Sequence, residues 1–246
     1  MTDQALLLDV ARRAAIEAGQ ALVARGEGFQ GVAFAQGRDI KLKADKAAEN
    51  VILPILLEKT DYPVLSEEAG WSAPKSGRYW VVDPLDGSAN YNRHIPLCCV
   101  SIALVENDKP ILGVINHFDS GELYTGVVGV GAELNGLPIK VGDIRDPGQA
   151  ILMTGLPVYR DFSEEALGAF ARDFARWKKV RMIGSAALSI AFVAAGKADR
   201  YKEESIMFWD VAAGCAIAEA AGGRAVLSAG PMDGAKTVCV DNGLLP

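Results

Sequence analysis

The sequence predicts a mixed α/β fold, and three observations support this class. Half of the 246 residues are apolar, which is enough to bury a large core. Segments with helical periodicity alternate with apolar runs of strand length, most regularly in the second half of the chain. Short turn-like connections between the middle runs indicate antiparallel sheet. No linker or repeat interrupts the chain, so composition gives no reason to divide it.

The chain is predicted to begin with two helices and a pliable segment between them. Over residues 5–25, apolar side chains recur at three- and four-residue spacing, as on one face of a helix. The glycines between residues 26 and 37 then predict a mobile loop or a hairpin. The second helix is predicted over 45–57, and Pro54 inside it is expected to kink it or to begin its end.

Strands dominate the middle of the predicted fold. A short strand at 64–65 runs into an acidic loop, and the strand that follows is expected to end at residue 83. Hairpin-type connections join the next three strands, predicted over 97–105, 111–118 and 122–128. The Gly-Val-Gly at 129–131 precedes a turn and opens no helix, so it is not a dinucleotide-binding motif.

Strand and helix alternate through the second half. The predicted strands are 150–156, 180–183 and 199–202, and the predicted helices are 163–177, 185–195 and 210–221. Ser163 is the expected N-cap of the first of these helices, and Gly222 ends the last. Two short strands are expected to close the chain.

Composition excludes several classes of function. A formal net charge of −6 and a pI near 5.1 disfavour a nucleic-acid surface built on net positive charge. The N-terminus lacks the basic region of a signal peptide, and no apolar run reaches the length of a membrane span, so a cytoplasmic protein is expected. The four cysteines include no CxxC pair and are predicted to be buried thiols in a reducing compartment. With only two histidines, the available metal ligands are oxygen atoms.

The segment Asp-Pro-Leu-Asp-Gly-Ser at 83–88 is the most informative motif. Its aspartates lie three residues apart, and Pro84 between them prevents a regular helix or ladder. Both carboxylates can therefore point at one hard cation, together with the carbonyl of Leu85. The amides of Gly87 and Ser88 are expected at a helix start, where unpaired N–H groups attract anions. The motif predicts that a metal ion and a phosphate meet at one place.

Three further acids lie at the ends of predicted elements, namely Asp45, Glu67 and Asp210. Each alone also fits an ordinary role, because helix N-termini favour carboxylates and an acidic pair suits a solvated loop. Unpaired carboxylates at the end of a buried strand are costly, however, and a cation removes that cost. Mg2+ suits such oxygen donors. The hydroxyl of Ser88 could hydrogen-bond a nucleophilic water, with Asp45 orienting that hydroxyl.

These motifs resemble those of the inositol monophosphatase family, which belongs to the magnesium-dependent, lithium-sensitive phosphatases that include fructose-1,6-bisphosphatases. The resemblance rests on residues 83–88, on Ser-Glu-Glu at 66–68 and on Trp-Asp-Val-Ala-Ala-Gly at 209–214. It extends over nearly the whole chain through residues 184–188, 193–196 and 219–223.

The resemblance implies a layered αβαβα fold in a single catalytic domain, 1–246, with two α/β halves near 1–148 and 149–246. It also implies hydrolysis of a phosphate monoester by water, two or three Mg2+ ions per site and a homodimer. The implied metal ligands are Glu67, Asp83, the Leu85 carbonyl, Asp86 and Asp210. The implied catalytic residues are Glu67, Ser88 and Asp45. The implied substrate contacts are Asp86, Gly87, Ser88, Gly184, Ser185, Ala186, Glu203 and Asp210.

Several positions depart from the family pattern. Ser66 stands where glycine is usual, and Ser88 where threonine is usual. Leu42 stands where threonine is usual, and Lys41 and Lys43 flank it. These changes could weaken the binding of a third Mg2+, or the lysines could supply a cation for a second substrate phosphate. The substrate therefore stays open. A small polyol or sugar phosphate such as inositol 1-phosphate is favoured. The alternatives are a 3′(2′),5′-bisphosphate nucleotide, histidinol phosphate, fructose 1,6-bisphosphate, and a non-catalytic role as a sugar-phosphate binder.

Overall fold

A computed structural model of the chain describes residues 3–25, 31–36, 39–158, 160–231 and 234–246, with the backbone alone described at 34–36 and 39–41. Within these residues the helices are α1 (Asp3–Ala24), α2 (Lys43–Lys59), α3 (Ser88–Asn92), α4 (Glu164–Phe174), α5 (Ala186–Ala194) and α6 (Phe208–Ala220). The N-terminal strands are β1 (Val32–Gln36), β2 (Asp39–Leu42), β3 (Val64–Ser66), β4 (Gly70–Trp71) and β5 (Arg78–Asp86). They are followed by β6 (Cys99–Glu106), β7 (Lys109–His117), β8 (Glu122–Val127), β9 (Gly131–Leu134) and β10 (Leu137–Ile139). The C-terminal strands are β11 (Ile151–Met153), β12 (Lys179–Arg181), β13 (Arg200–Met207), β14 (Arg224–Ala229) and β15 (Ala235–Asp241).

Two large sheets form the framework. In the described residues the first sheet has eight strands in the order β10-β9-β8-β7-β6-β5-β3-β4, and only the β3–β5 pair is parallel. The second has five strands in the order β12-β11-β13-β15-β14, with β11 parallel to both of its neighbours. Strands β1 and β2 form a separate antiparallel hairpin, which is one of the two predicted alternatives for this segment. The glycines at 26, 28 and 37 lie outside the described residues.

The sheets and helices stack in the order αβαβα, as predicted. One core joins α1 and α2 to a face of the first sheet, with Ile52 and Leu104 among its buried members. A second core lies between the two sheets and contains most of α5 and α6. Helix α6 approaches the first sheet closely, since a Cβ atom on Gly113 would lie 2.2 Å from the carbonyl oxygen of Ala213. A smaller cluster around Trp177 and Phe174 lies beneath α4 on the outer face of the second sheet.

Helix α2 passes Pro54, as its predicted range 45–57 requires, and ends two residues later than predicted, at Lys59. Pro54 therefore does not end the helix, and a kink there stays a prediction. Proline removes the N–H that would bond the carbonyl of residue 50. Both Asn50 and Pro54 are exposed, so water can reach that carbonyl and the helix tolerates the proline at its surface. Among the helices in the described part of the chain, none combines the length and the apolar character that a membrane span requires.

Strand boundaries differ most from the predictions near the second sheet and at residue 83. The strand predicted at 150–156 is confined to β11, whereas the strand predicted at 199–202 extends through β13 to Met207. The strand predicted to end at Asp83 continues to Asp86. The hairpin between β6 and β7 is confirmed, because Asn107 and Asp108 both adopt the positive φ of a tight primed turn.

All four cysteines are free thiols, as predicted. Cys98, Cys99 and Cys215 are buried, and Cys239 is half-buried. The segment 129–131 leads into β9, so the exclusion of a dinucleotide-binding loop is confirmed. The predicted boundary near residue 148 falls between the two sheets, since β10 ends at Ile139 and β11 begins at Ile151. The division into one domain with two halves remains a prediction.

Candidate active site

A bulge in β5 brings Asp83 and Asp86 together. In a regular strand, residues three apart point to opposite faces of the sheet. Here Asp83 pairs with Ser101 and Asp86 pairs with Cys99, so three steps along β5 oppose two along β6. Because the bulge adds one residue to β5, the side chains of both aspartates point to the same face of the sheet. The amide of Leu85, inside the bulge, donates to Oδ1 of Asp83 over 3.0 Å.

Asp210 joins this pair from the start of α6. It occupies the third position of the helix, and its Oδ2 accepts a hydrogen bond from the amide of Met207 over 3.1 Å. The side chain thus turns back toward the helix N-terminus, where the dipole favours a negative charge. Carboxylate oxygens of Asp83, Asp86 and Asp210 lie within 4.8 Å of one another. Residues separated by most of the sequence therefore form one compact acidic site.

Burial and mutual repulsion raise the pKa values of these acids. The pKa of Asp83 lies well above its ordinary value because of burial and then the charges of Glu67, Asp86 and Asp210. The pKa of Asp210 is raised by burial and by the charges of Glu67 and Asp86. Burial raises the pKa of Asp86 to about 6, although the Ser185 hydroxyl and the Ala187 amide both donate to its Oδ2 and oppose the shift. A divalent cation would relieve this repulsion, so the donor set fits Mg2+.

Glu67 approaches the three aspartates from the end of β3. Its amide donates to the carbonyl of Val82 over 3.1 Å, which keeps the acidic loop alongside β5. Its charge acts on both Asp83 and Asp210. The structure therefore clusters three of the four acids predicted as metal ligands, and it places Glu67 near enough for its charge to act on two of them. The carbonyl oxygen of Leu85 lies in the same bulge, 3.0 Å from the hydroxyl oxygen of Ser88.

Ser88 and Asp45 form a hydrogen-bonded pair beside the metal ligands. The Ser88 hydroxyl donates to Oδ1 of Asp45 over 2.6 Å, and the amide of Leu42 donates to Oδ2 over 2.5 Å. Asp45 is fully buried in the first turn of α2. Burial raises its pKa to about 6, against the opposing effect of these two hydrogen bonds. The pairing that the sequence predicts for these residues is present.

A cavity of 210 Å³ opens next to the acidic site. Its lining includes six of the residues predicted to contact substrate, which are Asp86, Gly184, Ser185, Ala186, Glu203 and Asp210. Gly87 and Ser88, the other two, are not among the lining residues. Gly87 has a positive φ of 90° and packs against the carbonyl of Leu97, where a Cβ atom would come within 2.8 Å. Its amide and that of Ser88 begin α3, as predicted, and their contact with phosphate remains a prediction.

This geometry agrees with the comparisons to known proteins. Residues 3–243 match the inositol monophosphatase family. The chain belongs to this family. It is 41% identical over 187 residues to a protein of Xylella fastidiosa named Nus factor SuhB, across 75% of the chain and 68% of that protein. It is 34% identical over 194 residues to an inositol-1-monophosphatase of Synechocystis, across 75% of the chain and 66% of that protein. An inositol monophosphatase structure from Anabaena covers 99% of the chain and 93% of its own length, at a TM-score of 0.85 and 34% identity.

In this member of the inositol monophosphatase family, the side chain of Asn90 holds the backbone next to Gly184 in place. Gly184 has a positive φ of 74°, a conformation that favours glycine. The side-chain amide of Asn90 donates to the carbonyl of Ile183 over 2.8 Å and to that of Leu97 over 2.7 Å. Asn90 therefore ties α3 to the cavity wall. Sequence patterns gave no signal for this role, because the partners lie far apart in the chain.

Glu203 enters the cavity from an irregular part of β13. The register with β15 shifts between Glu203 and Ile206, and Ser205 has a positive φ of 64°. Burial and the charge of Asp86 raise the pKa of Glu203 to about 8. Gly155 makes room for this side chain, since a Cβ atom there would lie 2.4 Å from Oε1 of Glu203.

Sequence reasoning missed the other wall of the cavity. Thr154, Gly155, Leu156 and Pro157 follow β11, and Ile206 lies in β13. The strand predicted over 150–156 included the first residues of this loop, so the loop was not recognised from the sequence. The adjacent glycine and proline were the available signal, because Gly155 and Pro157 are poor strand residues and typical of a turn.

Proposed function

We propose that the chain hydrolyses a phosphate monoester of a small polyol or sugar, such as inositol 1-phosphate, with the help of Mg2+. The observation that carries this proposal is the convergence of Asp83, Asp86 and Asp210 within 4.8 Å, at the edge of a polar cavity. Membership of the inositol monophosphatase family supports the same reaction class.

The acids would divide between two Mg2+ ions. Glu67, Asp83 and the Leu85 carbonyl would hold the first, and Asp83, Asp86 and Asp210 the second. When bound, Mg2+ supplies charge neutralisation for the phosphate and lowers the pKa of water. The protein's contribution is to fix these donors in place, since the β5 bulge and the first turn of α6 position the aspartates.

Ser88 and Asp45 would orient the attacking water. Because the Ser88 hydroxyl donates its proton to Asp45, its oxygen can accept a hydrogen bond from a water molecule. A water held in this way directs a lone pair toward the phosphorus atom. Asp45 is itself fixed by the Leu42 amide, so the whole relay depends on the start of α2.

The cavity favours a neutral polyol over a second phosphate. Glu203, Asp86 and Ser185 offer oxygen atoms that can hydrogen-bond the hydroxyl groups of a substrate. Among the described residues that line this cavity, none is lysine or arginine, so a second phosphate would have no cationic partner in the cavity wall itself. Arg160, whose charge acts on Glu203, lies outside that wall. This observation supports a monophosphate over the bisphosphate alternatives. Lys43 is exposed beside the relay, and the side chain of Lys41 lies outside the described residues.

A substrate panel tests the proposal. The purified chain is expected to release phosphate from inositol 1-phosphate in Mg2+ and to stop in EDTA. Histidinol phosphate, fructose 1,6-bisphosphate and a 3′,5′-bisphosphate nucleotide complete the panel. If a bisphosphate is preferred, Lys41→Ala and Lys43→Ala should raise KM more than they lower kcat. Failure of every ester in Mg2+ would refute the proposal.

The alternative is a binding role that keeps the same site. The Xylella fastidiosa relative is named a Nus factor, which makes a partner protein a candidate for this chain as well. Asp83→Asn separates the two functions, because it should abolish turnover and leave a surface-mediated interaction intact. A homodimer, in the reducing cytoplasm, completes the proposal, and light scattering of the purified chain tests the oligomeric state.

A further inference from the structure

A buried glutamate on α2 lies behind the metal ligands. Glu49 is one helical turn beyond Asp45, on the same face of α2, and it is fully buried. Its Oε1 accepts from the Ser66 hydroxyl over 2.5 Å and from the Ala69 amide over 2.9 Å. Its Oε2 contacts the ammonium group of Lys46, whose side chain is about half exposed. Because a buried carboxylate is costly without partners, these contacts fix the Glu49 side chain in one position.

The two donors to Oε1 flank the acidic pair Glu67-Glu68. Ser66 ends β3, and Ala69 immediately precedes β4. Both ends of the turn are therefore tied to one oxygen of Glu49. On the opposite side, the amide of Glu67 bonds to the carbonyl of Val82 in β5. The backbone around Glu67 is thus fixed from α2 and from β5 at the same time.

We propose that Glu49 is a positioning residue that holds the turn 66–69 so that the carboxylate of Glu67 faces Asp83 and Asp210. The inference rests on the proposed metal-dependent function, because it concerns the placement of one metal ligand. Partners of metal ligands fix ligand orientation, and their removal lowers metal affinity by about 10- to 100-fold. Glu49 touches neither metal nor substrate in this assignment and acts only through the turn.

Ser66 makes this connection specific to the chain. A glycine at this position, the residue usual in the family pattern, offers no hydroxyl. The Ser66 side chain is buried, and its hydroxyl reaches the same oxygen as the Ala69 amide. The hydrogen bond between Ser66 and Glu49 therefore strengthens a clamp that a glycine would leave to the Ala69 amide alone.

Metal binding without substrate tests the proposal. Titration of Mn2+ into the full chain, followed by electron paramagnetic resonance, measures affinity independently of turnover. Glu49→Ala should weaken binding about 10- to 100-fold, and Ser66→Ala or Ser66→Gly about fivefold, the equivalent of one hydrogen bond. Glu49→Gln should remain near wild type, because its amide oxygen can still accept from Ser66 and Ala69. Glu58→Ala, at an exposed glutamate on the same helix, is the matched control and should bind Mn2+ like wild type.

Activity separates positioning from general destabilisation. In the Ser66 variants, the Mg2+ concentration for half-maximal rate should rise while kcat at saturating Mg2+ stays near wild type. If Glu49→Ala does not fold, the Ser66 variants still decide. Wild-type Mn2+ affinity in Glu49→Ala, or in both Ser66 variants if Glu49→Ala does not fold, would overturn the positioning role and leave the proposed function standing. A wild-type chain that binds no Mn2+ would overturn the proposed function and, with it, this inference.

Discussion

The hydroxyl of Ser88 lies 2.6 Å from Oδ1 of Asp45, and this hydrogen bond joins the first turns of α2 and α3 across 43 residues of sequence. Both oxygens of Asp45 accept hydrogen bonds, since the Leu42 amide occupies Oδ2. The aspartate is therefore held with its charge buried and its orientation fixed. The pair provides a direct test of the proposed chemistry.

Removal of the Ser88 hydroxyl should lower kcat. Ser88→Ala is expected to reduce kcat by about 10²-fold, the lower end of the range for a group that assists proton transfer, with a smaller change in KM. Ser88→Thr should retain activity because it keeps the hydroxyl. Phosphate release at saturating Mg2+ measures both variants. Equal activity of Ser88→Ala and wild type would exclude a role for this hydroxyl in orienting water.

The stability of the metal-free protein should fall as pH rises from about 4 toward 8. Asp45 and Asp86 have folded pKa values of about 6, against ordinary values of 3.8. Between about pH 4 and 6 the folded state therefore binds more protons than the unfolded state, and linkage requires the free energy of unfolding to decrease with pH. The ionisation of Asp45 alone would lower the free energy of unfolding by up to roughly 3 kcal/mol over this range, at about 1.36 kcal/mol per pKa unit.

Urea denaturation in EDTA at several pH values between 5 and 8 checks this expectation. Glu203, with a pKa of about 8, extends the decline toward the upper end of this window. Mg2+ binds the ionised carboxylates, so its stabilising effect should grow as pH rises. In Asp45→Asn the decline should be shallower. A stability that increases with pH in EDTA would contradict the raised pKa values.

Neutralising one metal ligand should stabilise the protein without metal and abolish its response to Mg2+. Asp83 and Asp210 repel their acidic neighbours, so Asp83→Asn or Asp210→Asn should raise the melting temperature in EDTA at pH 7.5. Addition of Mg2+ should raise the melting temperature of wild type but of neither ligand variant. Asp61→Asn, at an exposed position, is the control and should behave like wild type. A lower melting temperature in EDTA for both ligand variants would argue against charge repulsion.

Much of the fold and of the acidic site was predictable because both depend on local signals. Ser163 caps α4, and α6 ends before Gly222, since capping and glycine punctuation act over a few residues. The acids were recognisable because they lie at the boundaries of elements. The resemblance of residues 66–68, 83–88 and 209–214 to one family also connected Glu67 and Asp210 with the two aspartates of the motif.

What sequence could not predict depends on pairing between distant strands or helices. Whether Asp83 and Asp86 face the same side depends on the register of β5 against β6, and no local pattern specifies that bulge. Glu49 is a similar case, because a buried glutamate on a helix looks like a solvated one until its partners 17 and 20 residues away are known. The effect of Pro54 depends on whether water can reach the carbonyl of Asn50, and the exposure of both residues is set by the packing of α2.

Gly155 provides a test of the substrate cavity that leaves the metal ligands unchanged. A Cβ atom at this position would lie 2.4 Å from Oε1 of Glu203, so Gly155→Ala must displace that carboxylate. Because Glu203 would hydrogen-bond the hydroxyl groups of the substrate, we expect KM for inositol 1-phosphate to rise about tenfold, the equivalent of about 1.4 kcal/mol of lost binding. Mn2+ affinity should not change. Gly77→Ala is the control, because its nearest contact would be an ordinary 3.6 Å to the Asn107 side chain. An unchanged KM in Gly155→Ala would show that Glu203 does not bind this substrate.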